Sequence, residues 1–414
     1  MTDTSLSVPP ADLPAELHEA YQVLAAGTAA ILPTNGLEER MVVAHRENRQ
    51  LRVKLGIDPS GTQLTLGHAV VLRKLRQFQD AGHLAVLVVG GFTGQVGDPS
   101  GRSATRVVQT PEQVVANAQG YFDQLMRILD PEHTEVVNNA SWLAPMSVAD
   151  LLGYAREMTV AQLLERDDFA RRFKTNIPIS LSELFYPMLQ GIDSVEIHAD
   201  IELGGTDQTF NNLVGRELQR SRGQAPQAVM TLPLLVGTDG VEKMGKSLGN
   251  FIAIDEPAAE QFGKLMSIPD AAVETYAVLC ADYRPAEVEI LRTQLAAGGN
   301  LANVAKRGMA KRVVDLYHGS NAGEQAEAGF NSLFRDRAVP QDVPEHPLGP
   351  EDPVHVPAVL VAGGLAASSS AARRLVDGGG VKVDGVPVSE YDMPRADLVG
   401  RVLAAGKRHA VRLT

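Results

Sequence analysis

Gly240-Val-Glu-Lys-Met-Gly-Lys-Ser247 can be parsed in two ways, and the choice decides the fold. As G-x-x-x-x-G-K-S it is a P-loop pattern, whose backbone amides wrap phosphates at the start of a long helix. As Lys243-Met244-Gly245-Lys246-Ser247 it is a loop with two lysines on flexible stems, able to close over a triphosphate. Both readings put Lys246 on phosphate. A P-loop demands a strand before the first glycine and a helix beginning at Lys-Ser. The apolar run Leu232 to Val236 reads as the strand, and Asp239-Gly240 as a turn. The helix is the difficulty, because Leu248-Gly249-Asn250 breaks the pattern and a β-like Phe251-Ile-Ala-Ile254 follows. Lys243 and Met244 also have no task in a P-loop.

Working outward, Leu51-Arg-Val-Lys-Leu-Gly-Ile57 alternates apolar and polar residues and predicts a strand. Asp58-Pro59-Ser60-Gly61 predicts a turn. Val71, Leu72, Leu75 and Phe78 have helical spacing from Gly67 onward, and Gly82 marks the helix end. Leu84-Ala-Val-Leu-Val-Val89 is apolar throughout, as expected of a strand covered on both faces. Strand, helix and strand make a βαβ unit, whose ligands bind at the carboxyl ends of the strands. The loop there, Gly90 to Gly101, is rich in glycine. At the other strand end, Asp58-Pro-Ser-Gly-Thr-Gln-Leu-Thr-Leu-Gly-His68 enters the helix. Gly67 permits close approach of a nucleotide, and the helix start offers amides and a positive dipole end.

The chain has 414 residues, 44% of them hydrophobic, enough for two or three domains with sizeable cores. No apolar run is long enough to span a membrane, and the first twenty residues lack the pattern of a secretory signal. Cys280 is the single cysteine, and no Cys/His cluster has zinc spacing, so no metal ligands are assigned. A soluble, cytoplasmic protein without a membrane partner is expected. The net charge of −12 argues against a general nucleic-acid binder, yet residues 355–414 hold eight Lys/Arg against five Asp/Glu. A basic tail on an acidic body points to a local anionic partner. Residues 110 to 222 and 256 to 335 read as mostly helical. Six prolines between Pro340 and Pro357 read as an extended linker.

The ordered motifs resemble those of bacterial tyrosyl-tRNA synthetases, class I enzymes, over nearly the whole chain. Gly97-Asp98-Pro-Ser-Gly101, Tyr186-Pro-Met-Leu-Gln190-Gly-Ile-Asp193 and Gly204-Gly205-Thr-Asp207-Gln208 join the two segments already quoted. The resemblance implies an α/β fold: a Rossmann-like parallel-sheet catalytic domain at 51–255 with a helical insertion at about 110–190. A helical extension at 1–50 would precede it. A helical anticodon-side domain (256–339), the linker (340–357) and a small α+β S4-like RNA-binding domain (358–414) would follow. It also implies tyrosine–tRNA ligase activity. Tyrosine would be activated by ATP to an adenylate, with Mg²⁺ carried on the ATP, and passed to tRNA(Tyr) by a homodimer.

Residue roles follow from the same resemblance. Lys243 and Lys246 would neutralise the leaving pyrophosphate, with Ser60, Thr65, His68 and Gln208 beside the reacting groups. Asp58, Thr93, Asp98, Asn139, Tyr186, Gln190 and Asp193 would hold tyrosine, Asp193 taking its phenol. Gly56, Gly67, His68, Gly205, Asp207, Met244, Lys246 and Ser247 would hold ATP. Arg373, Arg374 and Lys382 would contact tRNA, with binding that weakens as salt rises. The chain departs from the family pattern in places. Thr65 stands where the first signature histidine is usual, Lys54 where the best-known branch has a second phenol-contacting tyrosine, Glu202 where it has glutamine, and Gly245 where serine is frequent. A tryptophan-specific sibling, a P-loop NTPase and an RNA-binding protein on an inactive synthetase scaffold remain as alternatives.

Overall fold

A computed structural model describes residues 13–58, 63–100, 122–334, 343–406 and 409–414. The chain forms two compact units, 1–320 and 321–414.

The first unit is built on a six-stranded sheet in the order β1-β6-β5-β2-β3-β4. Its strands are β1 Ala30–Leu32, β2 Arg52–Ile57, β3 Leu84–Val89, β4 Thr134–Asn138, β5 Ile201–Gly205 and β6 Ala228–Leu232. All are parallel except β1, which pairs antiparallel with β6. The chain runs from β2 out to β3 and β4 on one side, then returns to lay β5 and β6 on the other. The sheet therefore has a topological switch point between β2 and β5, and a crevice opens there above the carboxyl ends.

The expected βαβ unit forms, with the helix Leu66–Asp80 burying Leu66, Ala69, Val70, Leu72, Leu75 and Phe78. Ala85 to Val88 are almost fully buried, as an apolar run between two helical layers requires. Three expectations are corrected. The first fifty residues are not helical throughout: β1 supplies the sheet's antiparallel edge, so no boundary at residue 50 separates them from the sheet. The region 110–222 contains β4 and β5 as well as helices. The strand expected at Leu232–Val236 instead covers Ala228–Leu232, because Pro233 has no N–H to continue the ladder.

Two helices form the wall beside the switch point. Leu181–Glu196 starts at a Ser180–Glu183 capping box, Ser180 N–H donating to Glu183 at 2.9 Å. It packs on Thr209–Ser221 at Gly191, where a Cβ would meet Leu218, Val214 and the Gly215 backbone at 2.9 to 3.1 Å. Only glycine permits this approach. Four helices between Ala258 and His318 complete the unit around buried Phe262, Leu265, Tyr276, Met309 and Val313.

The second unit is α+β. Its five-stranded sheet runs β10-β9-β12-β13-β7. The strands are β7 Glu345–His346, β9 Val381–Val383, β10 Val386–Pro387, β12 Val402–Ala405 and β13 His409–Leu413. A separate pair joins β8 Val354–His355 to β11 Asp392–Met393. The proline-rich segment is therefore not a free linker from end to end, since Glu345–His346 pairs with β13 and Val354–His355 with β11. Prolines lack the N–H but keep the carbonyl: Pro344 O accepts from Arg412 N at 2.8 Å.

Candidate active site

At the switch point lies a cavity of about 390 Å³, within the size range of small-molecule sites. Its floor is Asp193 on the helix Leu181–Glu196, only 3% exposed. Trp142 Nε1 donates to Oδ1 at 2.9 Å, and Asn139 Nδ2 donates to Oδ2 at 3.2 Å. Asn139 also donates to Thr93 Oγ1 at 2.9 Å, and Thr93 donates to Asp58 Oδ1 at 3.0 Å. Tyr186 donates to Asp58 Oδ2 at 2.9 Å. One polar chain thus runs from the floor to the end of β2. Burial pushes the Asp193 carboxyl up to about 7, against the pull of the Lys54 charge and of the Trp142 and Asn139 hydrogen bonds. Burial, reinforced by the Asp58 charge, holds the Tyr186 phenol well above its ordinary range, so it remains a donor.

Midway along the cavity, Asp98 accepts from Ser100 N at 2.8 Å and from Gln208 Nε2 at 2.7 Å. Arg166 stands 4.0 Å from it. Asn211 donates to Gln190 Oε1 at 3.1 Å and to Gln208 Oε1 at 3.2 Å. Gln190 and Gln208 are thereby held with their amides in defined orientations. A carboxylate flanked by such groups suits an ammonium ligand.

The opposite end has the features of a phosphate site. Thr65 caps the helix Leu66–Asp80, and His68 completes the capping box. His68 Nδ1 accepts from Thr65 N at 3.2 Å, with Thr65 Oγ1 at 2.8 Å. That acceptor role places the ring proton on Nε2. His68 lines the cavity and is exposed to solvent. Even so, the protein packed around it, then the Lys246 and Lys243 charges, lower its pKa to about 4. His68 is therefore a neutral donor at physiological pH. Gly56 faces open space, since an added Cβ would meet nothing within 4 Å. At Gly205 a Cβ would meet Asp207 Oδ1 at 2.6 Å and Leu234 at 2.9 Å.

The opening segment is a loop, not the start of a long helix. Lys246–Leu248 is a three-residue 3₁₀ turn ended by Gly249 at φ +66°. This removes the helix that a P-loop needs. The loop is rooted by Asn250, which accepts from Gly245 N at 2.9 Å and donates to Asp239 at 2.6 Å. Met244 is buried, and its sulfur accepts from Gly67 N at 3.3 Å. Lys243 Nζ reaches Asp207 at 2.8 Å. Lys246 and Ser247 are exposed and do not line the cavity.

Most of the expected residues meet in this one place. Gly56, Asp58, Thr65, Gly67, His68, Thr93, Asp98, Tyr186, Gln190, Asp193, Gly205, Asp207, Gln208, Lys243 and Met244 line it. Asn139 stands behind Thr93 and Asp193. Ser60 lies outside the described residues. Lys54 is fully buried and turned away from the cavity, whose wall here is Leu55. Trp142 was not expected from the sequence. Its signal was available: it is the chain's single tryptophan, three residues beyond Asn139 and so on the same side of a helical turn. Among the described residues, no group of three or more His, Cys, Asp or Glu is arranged to hold a metal ion.

In the second unit, Ser368 caps the helix Ser369–Asp377, accepting from Ala371 N at 3.2 Å. Arg373 and Arg374 are exposed on this helix, and Lys382 is half-buried on β9. The Arg373 guanidinium lies 5.7 Å from the ring centre of Tyr391.

Comparison with known proteins fixes the class. Residues 46–335 match the family model of class I tRNA synthetases for tryptophan and tyrosine, and residues 356–394 match the S4 domain. The chain belongs to that class I aminoacyl-tRNA synthetase family. It is 45% identical over 398 residues to the tyrosine–tRNA ligase of Moorella thermoacetica, covering 96% of each chain. It is 46% identical to the tyrosine–tRNA ligase of Geobacter sulfurreducens, over 94% of this chain and 96% of that one. Among solved structures, the tyrosyl-tRNA synthetase of Archaeoglobus fulgidus complexed with L-tyrosine shares the fold with a TM-score of 0.61. It is 20% identical, over 74% of this chain and 98% of that one.

Proposed function

We propose that the cavity holds L-tyrosine with its phenol on Asp193 and its ammonium between Asp98, Tyr186 and Gln190. The chain is a tyrosine–tRNA ligase, and its reaction has two steps. The tyrosine carboxylate attacks the α-phosphate of ATP, forming the adenylate and releasing pyrophosphate. A terminal ribose hydroxyl of tRNA then takes the tyrosyl group and releases AMP. No protein nucleophile is needed, so rate comes from positioning and from charge stabilisation at the leaving pyrophosphate.

The observation that carries the substrate reading is Asp193. A carboxylate this deeply buried, with both oxygens already oriented by Trp142 and Asn139, is costly unless a further donor meets it. A phenol hydroxyl supplies that donor. Phenylalanine would leave the acceptor unpaired, a discrimination for which tyrosyl-tRNA synthetase is itself the general example. The indole of tryptophan is larger and offers its N–H from a different point.

Gly56, Gly67 and Gly205 would admit the adenosine part of ATP. Asp207 would take the ribose, and Gln208 the reacting carboxylate. His68 would donate to phosphate from Nε2, with Ser60 assigned a phosphate contact by its place in the motif. Thr65 presents a hydroxyl where a histidine is usual, and its contact to His68 fixes that ring as a donor. Lys243, held on Asp207, and exposed Lys246 would close over the pyrophosphate, with Met244 as the pivot and Ser247 beside it. Mg²⁺ would arrive on the ATP phosphates, held by them and by water.

In the second unit, Arg373, Arg374 and Lys382 would meet tRNA phosphates. A homodimer is supported by apolar side chains left exposed between residues 148 and 181, namely Val148, Leu152, Val160, Phe173, Ile177 and Leu181. No helix among the described residues is long and apolar enough to cross a membrane, and a cytoplasmic location is the consistent reading. Tyrosine-dependent exchange of pyrophosphate into ATP tests the assignment. Exchange with tyrosine but not with tryptophan or phenylalanine is expected. Exchange that follows tryptophan instead, or none from a folded sample, overturns it.

A further inference from the structure

We propose that Lys54 and Glu202, a buried ion pair behind the cavity wall, are positioning residues that set the charge and placement of Asp193 and so tune tyrosine selection. This rests on Asp193 being the phenol-binding group.

The two residues are register partners on β2 and β5, directly at the switch point. Both are almost completely buried, and their charged atoms are 2.9 Å apart. A buried pair is a weak source of stability, because desolvation offsets most of the attraction. Its placement here points to another task. Lys54 Nζ donates to the Gln190 carbonyl at 2.8 Å and to Ser194 Oγ at 2.7 Å. Those two residues bracket Asp193 on the same helical turn. Ser194 Oγ donates in turn to Glu202 Oε2 at 2.9 Å, and Gln190 Nε2 donates to Oε1 at 3.1 Å. Gln227 closes the network with a short bond to Glu202. The pair therefore clamps the helical turn that carries Asp193 and orients Gln190, which lines the cavity.

It also acts by charge. Lys54 favours the ionised form of Asp193, while Glu202 opposes it. The remaining groups packed on Asp193, Trp142 and Asn139, are neutral donors that favour the ionised form. Asp58 and Asp98 also line the cavity, and with Asp193 they act on Tyr186. The two members of the ion pair thus pull on Asp193 with opposite signs, which makes their removal distinguishable.

Trp142 provides the readout. It is the only tryptophan and hydrogen-bonds Asp193 directly, so its fluorescence should report the ionisation of that carboxyl. The full chain is titrated between pH 5 and 9 as wild type, Glu202→Gln, Lys54→Met and Asp193→Asn, with the fold checked by circular dichroism. The fluorescence step should move down by about one pH unit in Glu202→Gln and up by about one in Lys54→Met, each a tenfold change in the proton equilibrium. The pH dependence of the tyrosine KM should move with it, and the KM for ATP should not. Glu202→Gln is nearly isosteric and carries the test if Lys54→Met does not fold. A folded Glu202→Gln with an unmoved step and an unmoved tyrosine KM overturns the proposal, as does a shift upward. The Asp193→Asn control should lose the step. If it loses the step but keeps full discrimination against phenylalanine, the tyrosine-site reading fails instead.

Discussion

The two ends of the cavity are built in opposite ways. Around Asp193 the polar side chains are buried or half-buried and committed: Trp142, Asn139, Thr93, Asp58 and Tyr186 form one continuous chain of hydrogen bonds. At the lysine loop, Lys246 is exposed, Lys243 has one ion-pair partner, and the backbone is a single 3₁₀ turn. The contrast separates two duties. Recognition needs a site whose geometry is fixed before the ligand arrives, since an imperfectly placed acceptor discriminates poorly. Charge stabilisation on a departing pyrophosphate can be delivered by groups that close as the reaction proceeds. Substitutions at the loop should therefore change rate with little effect on binding, and substitutions at the floor should change selection.

The largest effect is expected at the loop. Lys246→Ala should slow adenylate formation about 10²–10³-fold, the usual consequence of removing one donor to developing charge. The tyrosine KM should stay within about twofold. Single-turnover kinetics of adenylate formation measures this. An equal loss of tyrosine affinity would break the proposed division of labour.

Asp193→Asn comes next. A hydrogen bond to a charged group contributes about 1.5–3 kcal/mol, so kcat/KM for tyrosine should fall by about 10–100-fold while phenylalanine is hardly affected. The wild-type pH dependence follows from the same residue. The phenol donates, so the ionised carboxylate is the better partner, and kcat/KM for tyrosine should rise with pH until it levels above about 7. For the empty enzyme the sign reverses. A folded pKa above the ordinary 3.8 favours the folded state at low pH, a contribution lost as pH climbs through about 7. A flat profile of kcat/KM between pH 5 and 8 would show that Asp193 is not the group that meets the phenol.

How far this site could be read from the sequence follows the same divide. Tyr186, Gln190 and Asp193 were legible through the family motif they match, and their four- and three-residue steps are those of one helical face. The βαβ unit was legible because β3 is apolar throughout and the helix Leu66–Asp80 carries a clean 3.6-residue period. Strand β5 was not legible, because Glu202 interrupts a run that the structure buries. Strand β4 escaped because its residues are only half-buried or exposed, with Glu135 among them, and the edge of a sheet shows no apolar run. Besides Glu202, the partners of Lys54 are Gln190 and Ser194, 136 and 140 residues away in the chain. No local pattern reports such contacts, so a lysine in a core strand read only as a departure from the family.

A smaller effect is expected at Trp142. Trp142→Phe keeps an aromatic ring but removes one of the two donors that orient Asp193. Losing a hydrogen bond to a charged acceptor should cost about 1.5 kcal/mol or somewhat more, or about tenfold in kcat/KM for tyrosine. The pH at which the profile levels should rise, because that bond favours the ionised form. An unchanged profile would mean that Asn139 alone fixes the carboxylate.

The smallest effect is expected at Thr65, where the comparison between the ends is least clear. Thr65 is buried like the floor, yet it belongs to the phosphate end. Its hydroxyl caps the helix Leu66–Asp80 and contacts His68. Thr65→Val keeps the shape and removes the hydroxyl. Loss of the cap should cost about 1 kcal/mol of stability, measurable as a lower urea midpoint with an unchanged slope. Adenylate formation should fall by less than about tenfold, because His68 Nδ1 still accepts from the Thr65 backbone N–H and keeps its proton on Nε2. If the rate instead falls as far as in Lys246→Ala, then Thr65 contacts the phosphates itself. Fixed, buried groups would then share the charge stabilisation assigned here to the loop.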